Sequence, residues 1–423
     1  MLLLPWSSNS LLVVALTSIT YASLIPKIAQ GLVQNNHVNH LGRPLIGTGG
    51  RCSVTRLQMA IEEGGLGAAR AMLFNDQHKA MGRQAEDERE LLENNMSEMK
   101  ELSKKKRKQH KKKSAGVGFG AASPKVLSKF EEETQLLANA VQRDGVVLVP
   151  GVLQKETAAK LRKCVLGEVE TMRDAIRTDP SLSVSLFYVP ADIHFSTPRG
   201  YVLLPFRDTE SVKEGPDTVG PMVEAARELL SGDTPLSGLF GEMCDGENSQ
   251  MYDFCALRTE PGAARQVVHS DTPHQDIPGL FCAFIALQDV TMEMGGTMFF
   301  PKTHTRTSQR KEFDSGDKLK MLKDSKPQYT MLKAGDAAFF DMRTLHAGLA
   351  NLPEEEGGAE RILMAVTFRN LKATGELGHK PNLRPGYVDM FTLGELQEEL
   401  SRDSPFQNSG NGLLPGIGEG VLL

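Results

Sequence analysis

Aromatic side chains make up only 6% of the 423 residues, and Trp6 is the single tryptophan. Cysteine is scarcer still. The five (Cys52, Cys164, Cys244, Cys255, Cys282) form no Cys-x-x-Cys pair, which argues against a disulfide framework and a structural zinc site. Long apolar runs are missing as well. The stretch from Leu11 to Leu24 is broken by Ser and Thr and is too short for a membrane span, so a polytopic membrane protein is excluded. There is no GxxxxGK, no Ser-His-Asp arrangement and no internal repeat. The Gly-Val-Gly-Phe-Gly at 116–120 follows a lysine run rather than a strand and reads as linker, not as a dinucleotide-binding turn. Formal net charge is only −5, which excludes a protein that is basic overall.

Charge is nevertheless segregated. Residues 1–61 contain no Asp or Glu but include Lys27, Arg43, Arg51 and Arg56. An acid-free, Ser/Arg-containing stretch with an apolar start reads as a targeting leader, pointing to an organelle or the secretory route rather than plain cytoplasm. Residues 62–125 read as a charged helical segment followed by a basic run and a flexible linker. Lys104–Lys113 holds eight Lys/Arg side chains and no acid. No aromatic interrupts it, so it lacks a stacking platform for bases and reads first as a solvated face.

The globular part is expected from 126 to 372, with a partly disordered C-terminal extension over 373–423. Helical spacing covers 126–142 (Leu127, Phe130, Leu137, Val141) and 155–177 (Ala158, Leu161, Val165, Val169). Between them, 145–150 reads as a short buried strand. Further strands are expected at 251–257, 280–288, 297–300, 337–340 and 362–368, with a late helix at 393–400. Short strands between Gly/Pro/Asp turns, without alternating helices, predict an antiparallel sandwich or barrel.

Two His-x-Asp pairs lie close together, His269/Asp271 and His274/Asp276. Residues i and i+2 at a strand end project to one face and can offer an imidazole and a carboxylate to one ion. The pattern alone is weak, but its context strengthens it. A turn at Gly335 leads into an apolar strand that ends near His346, and Arg361 opens the next strand. On that strand Arg361, Leu363, Ala365 and Thr367 share a face by alternation, and a cation buried there needs an anion. His-x-Asp, a distal His and a following Arg fit the two-His-one-carboxylate triad of non-haem Fe(II) oxygenases. The arginine would then fork onto the distal carboxylate of a keto-acid cosubstrate.

Residues 128–370 resemble the phytanoyl-CoA dioxygenase family of 2-oxoglutarate-dependent oxygenases. The resemblance rests on Arg265-Gln-Val-Val-His269-Ser-Asp-Thr-Pro273, on Phe284–Val290 with Met294–His304, on His346-Ala-Gly-Leu-Ala-Asn351 and on the opening Asp144–Leu153. It implies a double-stranded β-helix (jelly roll), mainly β with flanking helices. It also implies Fe(II) held by His269, Asp271 and His346, and 2-oxoglutarate held by Arg361, with O2 and a small organic molecule as the other reactants. Two features depart from the pattern. The loop 353–360 lengthens the gap before Arg361, and His274/Asp276 competes with the first motif. His269/Asp271 is preferred, because an expected strand at 266–268 runs into it and Thr272-Pro273 follows as in the family. His304 reads as a turn cap and His194 as either a surface residue or a substrate-entrance residue. Arg258 and Arg265 face either a substrate anion or solvent.

The expected function is hydroxylation of a small organic substrate, with no nucleic acid bound by the catalytic domain. The alternative is a non-catalytic jelly-roll module whose basic segment binds nucleic acid or an acidic partner. Residues 1–120 carry little core-forming pattern. A chain lacking them is expected to melt within a few degrees of the full chain in calorimetry, and a large drop would show that 62–102 pack on the globular part.

Overall fold

The computed structural model describes residues 128–413, apart from 180–181, 192–198, 317 and 410–411. The expected leader, the charged segment with Lys104–Lys113, the linker, His194 and the chain beyond 413 lie outside the described residues. Helix α1 (Lys129–Asp144) starts at a capping box, in which Ser128 accepts from the Glu131 amide while the Glu131 carboxylate accepts from the Ser128 amide. It ends at Gly145, whose φ of 82° is left-handed. A Cβ there would lie 2.5 Å from both His304 Nδ1 and Thr344 Oγ1, so glycine is required twice over. Strand β1 (Val146–Val149) and helix α2 (Lys155–Thr178) follow. Helix α2 buries Ala158, Leu161, Val165 and Val169, one stripe at three- and four-residue spacing.

The next stretch, in which no element is marked from sequence, is largely helical. After β2 (Tyr188–Pro190) and β3 (Arg199–Leu203) come three short helices, α3 (Thr209–Glu214), α4 (Pro221–Leu230) and α5 (Pro235–Met243). Two of them begin with proline at the first helical position, where the missing N–H costs nothing. The strands that follow are β4 (Gln250–Thr259), β5 (Leu280–Ala286), β6 (Thr297–Phe299), β7 (Gln328–Thr330), β8 (Ala337–Asp341), β9 (His346–Gly348) and β10 (Arg361–Arg369). Helices α6 (Ser308–Asp314) and α7 (Lys318–Asp324) lie between β6 and β7, and α8 (Leu393–Leu400) comes after β10. Among the described residues no helix is long and apolar enough to cross a membrane.

Every strand pairing is antiparallel. A seven-stranded sheet has the order β1-β8-β5-β10-β4-β3-β2, and a three-stranded sheet has β7-β6-β9. This is the jelly roll with flanking helices that the sequence resemblance implied. Strand β10 shows how the layers divide. Ile362, Met364, Val366 and Phe368 join a core under the helices, whereas Leu363 and Ala365 join the core inside the roll. Arg361 and Thr367 share the parity of the inner set. The inner core also holds Leu203, Cys255, Cys282, Phe284, Phe299 and Phe340. At one end of β4 the register slips, so that Tyr252 and Asp253 face the single step Thr367/Phe368 of β10. Such a bulge re-aims side chains next to a site.

The two-sided burial of the large sheet predicts its sensitivity. Phe339 is fully buried and packs edge-on against Phe240, 5.0 Å between centroids. Phe339→Ala is expected to lose about 3–5 kcal/mol in urea unfolding. A loss below about 1 kcal/mol would mean that the helical layer does not depend on this face.

Candidate metal centre

Strand β9 carries His346, buried to 4% exposure and packed between Phe299 (5.6 Å, stacked) and Phe340 (5.3 Å, edge-on). His269 reaches it from a loop. Residues 266–268 are not the strand expected from sequence. Only an isolated bridge forms, with the His269 amide donating to the His346 carbonyl at 3.0 Å and the reverse bond at 2.8 Å. Asp271 follows, and both its amide and that of Thr272 donate to the Met342 carbonyl. Ligating atoms of His269, Asp271 and His346 thereby come within 4.8 Å of one another.

The protonation pattern sharpens this geometry. His269 Nδ1 lies 2.8 Å from the Val267 carbonyl and His346 Nδ1 lies 3.0 Å from the Thr344 carbonyl. A ring nitrogen beside a carbonyl carries the proton, so in the neutral ring Nε2 presents a lone pair. Each Nε2 faces a different oxygen of Asp271 at 3.4 Å. Burial pushes His346 below the usual imidazole range, Asp271 opposing. Burial alone would raise the Asp271 carboxyl, but His346 and then His269 outweigh it and hold it at about 2. Two lone pairs converging on a carboxylate call for a cation between them, and two imidazoles with one carboxylate on a single face suit Fe(II).

A second feature lies at the opposite sign. Arg361 and Arg199 are each 1% exposed, and both pair in register with Thr259, from β10 and β3 respectively. The two arginines and Thr259 thus form one row across three strands. The Arg361 guanidinium donates to the Thr259 hydroxyl and to the carbonyls of Met294, Gly295 and Gly296, while its Nε finds no partner. Burial, and then the charge of Arg199, lower its pKa to about 9. Arg199 donates to the Leu349 carbonyl at 3.0 Å, and its guanidinium lies near Gly348 on the strand that carries His346. Tyr201, two residues along β3, packs against the inner core. Burial, then the Asp271 charge, push its phenol well above the ordinary range, so it stays a donor.

The remaining sequence candidates fall elsewhere. His274 and Asp276 are outside the ligand cluster. Burial lowers the His274 pKa, with Arg310, Arg343 and Arg306 adding to it, and that positive setting is poor for a cation. His304 Nε2 donates to the Gln142 carbonyl at the end of α1, close to its expected capping role. Arg258 is paired with Glu260 and Glu360, and Arg265 is exposed. The sequence reading missed Arg199, because it sits beside Arg361 only through long-range pairing.

Residues 211–355 match the family model for phytanoyl-CoA dioxygenase. This stretch includes His269, Asp271 and His346, and the donor set fits the iron that the family implies. The matched stretch is similar to that of a non-haem 2-oxoglutarate-dependent oxygenase, and its His-Asp-His group is of the kind that holds a metal ion. No curated protein matches the chain. Among solved structures, the non-haem α-ketoglutarate-dependent epimerase SnoN of nogalamycin biosynthesis is 19% identical, over 60% of this chain and 95% of that one, at a TM-score of 0.33. The carbocyclase SnoK of the same biosynthesis is 18% identical over 65% and 95%, at 0.38. AviO1 from Streptomyces viridochromogenes is 17% identical over 57% and 97%, at 0.38.

The depressed Asp271 pKa has a testable sign. A carboxyl held below its unfolded value of about 4 stabilises the fold at every pH above that value and loses the contribution as pH falls towards the folded value. In metal-free protein, Asp271→Asn is expected to melt below wild type at about pH 6, with the gap closing between about pH 4 and about pH 2. A gap that stays constant with pH would show that the carboxylate charge plays no part.

Proposed function

We propose that this domain hydroxylates a small organic substrate, using Fe(II) held by His269, Asp271 and His346 and 2-oxoglutarate anchored by Arg361. The observation that carries the reading is the set of two Nε2 lone pairs and one carboxylate converging on a single point, in the same interior as a buried arginine with no acid beside it among the described residues. Iron and keto acid held there would supply substrate oxidation by O2 coupled to conversion of 2-oxoglutarate to succinate and CO2, one oxygen atom going to succinate and the other to the substrate.

The protein's own contribution is positional. The carbonyls of Val267 and Thr344 hold the two imidazoles in the Nε2-ligating tautomer. Asp271 supplies one negative charge and keeps the third position of the face. An occupied third position argues against halide there, and so against halogenation. Arg361 offers its fork and unpartnered Nε to a carboxylate, a charge-assisted pairing that a dry interior strengthens. Phe299 and Phe340 exclude water behind His346. Exposure falls from 33% at His269 through 18% at Asp271 to 5% at His346, so a substrate approaches from the His269 side, where Val267 and Ile277 are exposed apolar groups.

Two measurements test this. His269→Ala and Asp271→Ala are expected to abolish Fe(II) retention and 2-oxoglutarate turnover, whereas His274→Ala and Asp276→Ala keep the iron. The reverse result would sink the ligand assignment. Arg361→Leu is expected to weaken 2-oxoglutarate binding by about 2–5 kcal/mol in anaerobic titration of the Fe(II) protein. Unchanged affinity would remove Arg361 from the site. Succinate formed with a hydroxylated product from a substrate panel would establish the reaction, and a product without added oxygen would overturn hydroxylation.

A further inference from the structure

The carboxylate ligand lies on a loop, and a loop needs outside support to hold a ligand to the tolerance a metal site demands. One side of that support is visible in the Met342 carbonyl, which accepts from the amides of Asp271 and Thr272. The other side comes from residues 375–382, beyond the last strand and outside the 211–355 family match. Gly378 adopts φ +85° and lies against the Asp271 backbone. A Cβ at 378 would stand 2.1 Å from the Asp271 carbonyl oxygen and 3.3 Å from Pro273 Cδ.

The same segment is tied to the β4 bulge and to the metal loop. The Tyr252 hydroxyl donates to the His379 carbonyl, and the rings of these two residues meet edge-on at 5.3 Å. The Asn382 amide donates to Asp253 Oδ1 at 2.8 Å. The Gln275 side chain donates to the Glu376 carbonyl. The bulge thus has a use: it turns Tyr252 and Asp253, adjacent in sequence, towards one crossing segment.

We propose that residues 375–382 form a strap that fixes the Asp271 ligand, with Gly378 as its positioning residue. The inference rests on the metal site proposed above. Contact at Gly378 leaves no room for the Asp271 backbone to retreat from the two imidazoles, and the Tyr252 and Asp253 tethers keep the strap seated. Any side chain at 378 drives the carboxylate off the face.

The test uses the full chain. Fe(II) affinity and the visible band of the anaerobic Fe(II)–2-oxoglutarate complex are measured for wild type, Gly378→Ala, Tyr252→Phe and Gly151→Ala. Gly151 is also left-handed (φ +62°), with nothing within 4 Å of where a methyl would stand, so its variant carries the backbone strain without the contact. Gly378→Ala is expected to weaken Fe(II) binding about 10–100-fold, the range for losing support of a ligand, and to shift or abolish the band. Tyr252→Phe, which keeps the ring and loses one hydroxyl, is expected to weaken it by less and to fold normally. Gly151→Ala is expected to match wild type. Gly378→Ala and Tyr252→Phe both binding like wild type would overturn the strap, as would an equal loss in Gly151→Ala. If Gly378→Ala does not fold, Tyr252→Phe alone decides. Wild type that binds no Fe(II) would instead overturn the site reading beneath it.

Discussion

The reciprocal backbone bonds between His269 and His346 are the constraint on which the site depends. Strand β9 is three residues long and belongs to a three-stranded sheet, so little of the roll's regular pairing reaches the loop residues. Two hydrogen bonds, 2.8 and 3.0 Å, register the loop against the strand at the residues whose side chains converge. The ring centroids then lie 4.6 Å apart. A slip of one residue would send one imidazole to the other face, and Asp271 would have nothing to converge with.

Electrostatics divides the interior into two ends. One end gathers a carboxylate and two imidazole lone pairs. The other gathers Arg361 and Arg199, whose mutual repulsion adds to the burial that lowers the Arg361 pKa. An ion buried without a counter-ion costs several kcal/mol even after relaxation. Hydrogen bonds to carbonyls and to Thr259 offset part of this for Arg361. They do not neutralise it. On the proposed reading, a dication at one end and a keto acid at the other would each supply the opposite charge that its end lacks.

Legibility in the sequence follows the range of the interactions. The face of β10 was readable because alternation is local: Arg361, Leu363, Ala365 and Thr367 follow the parity of the inner core, and their neighbours lie under the helices. Helices α1, α2 and α8 were readable from their apolar spacing. Helices α3 to α5 were not, being 6, 10 and 9 residues long, too short for a helical period to stand out. The proline-initiated starts at Pro221 and Pro235 were the available signal. Arg199 opens a strand whose meaning depends on Thr259, about sixty residues away, and no local pattern reports that. The expected strand at 266–268 was wrong for a related reason. Its apolar pair looks like strand, but the stretch has no continuous partner: only His269, just past it, pairs, through an isolated bridge to His346.

Placing two of the three converging groups on a loop trades precision for access, and the surroundings show how the loss is made good. Asp341 and Arg343 form a buried pair, 2.6 Å between charged atoms. A buried pair of this kind is poor evidence for stability, because desolvation consumes most of the Coulomb gain. Its second set of contacts gives it a different use: the Arg343 guanidinium also donates to the carbonyls of Gln275 and Asp276, the continuation of the Asp271 loop. Asp341 orients the fork and Arg343 holds the loop, while the adjacent Met342 carbonyl takes the Asp271 and Thr272 amides. Three consecutive residues at the end of the β8 apolar run thus fasten the loop to the large sheet.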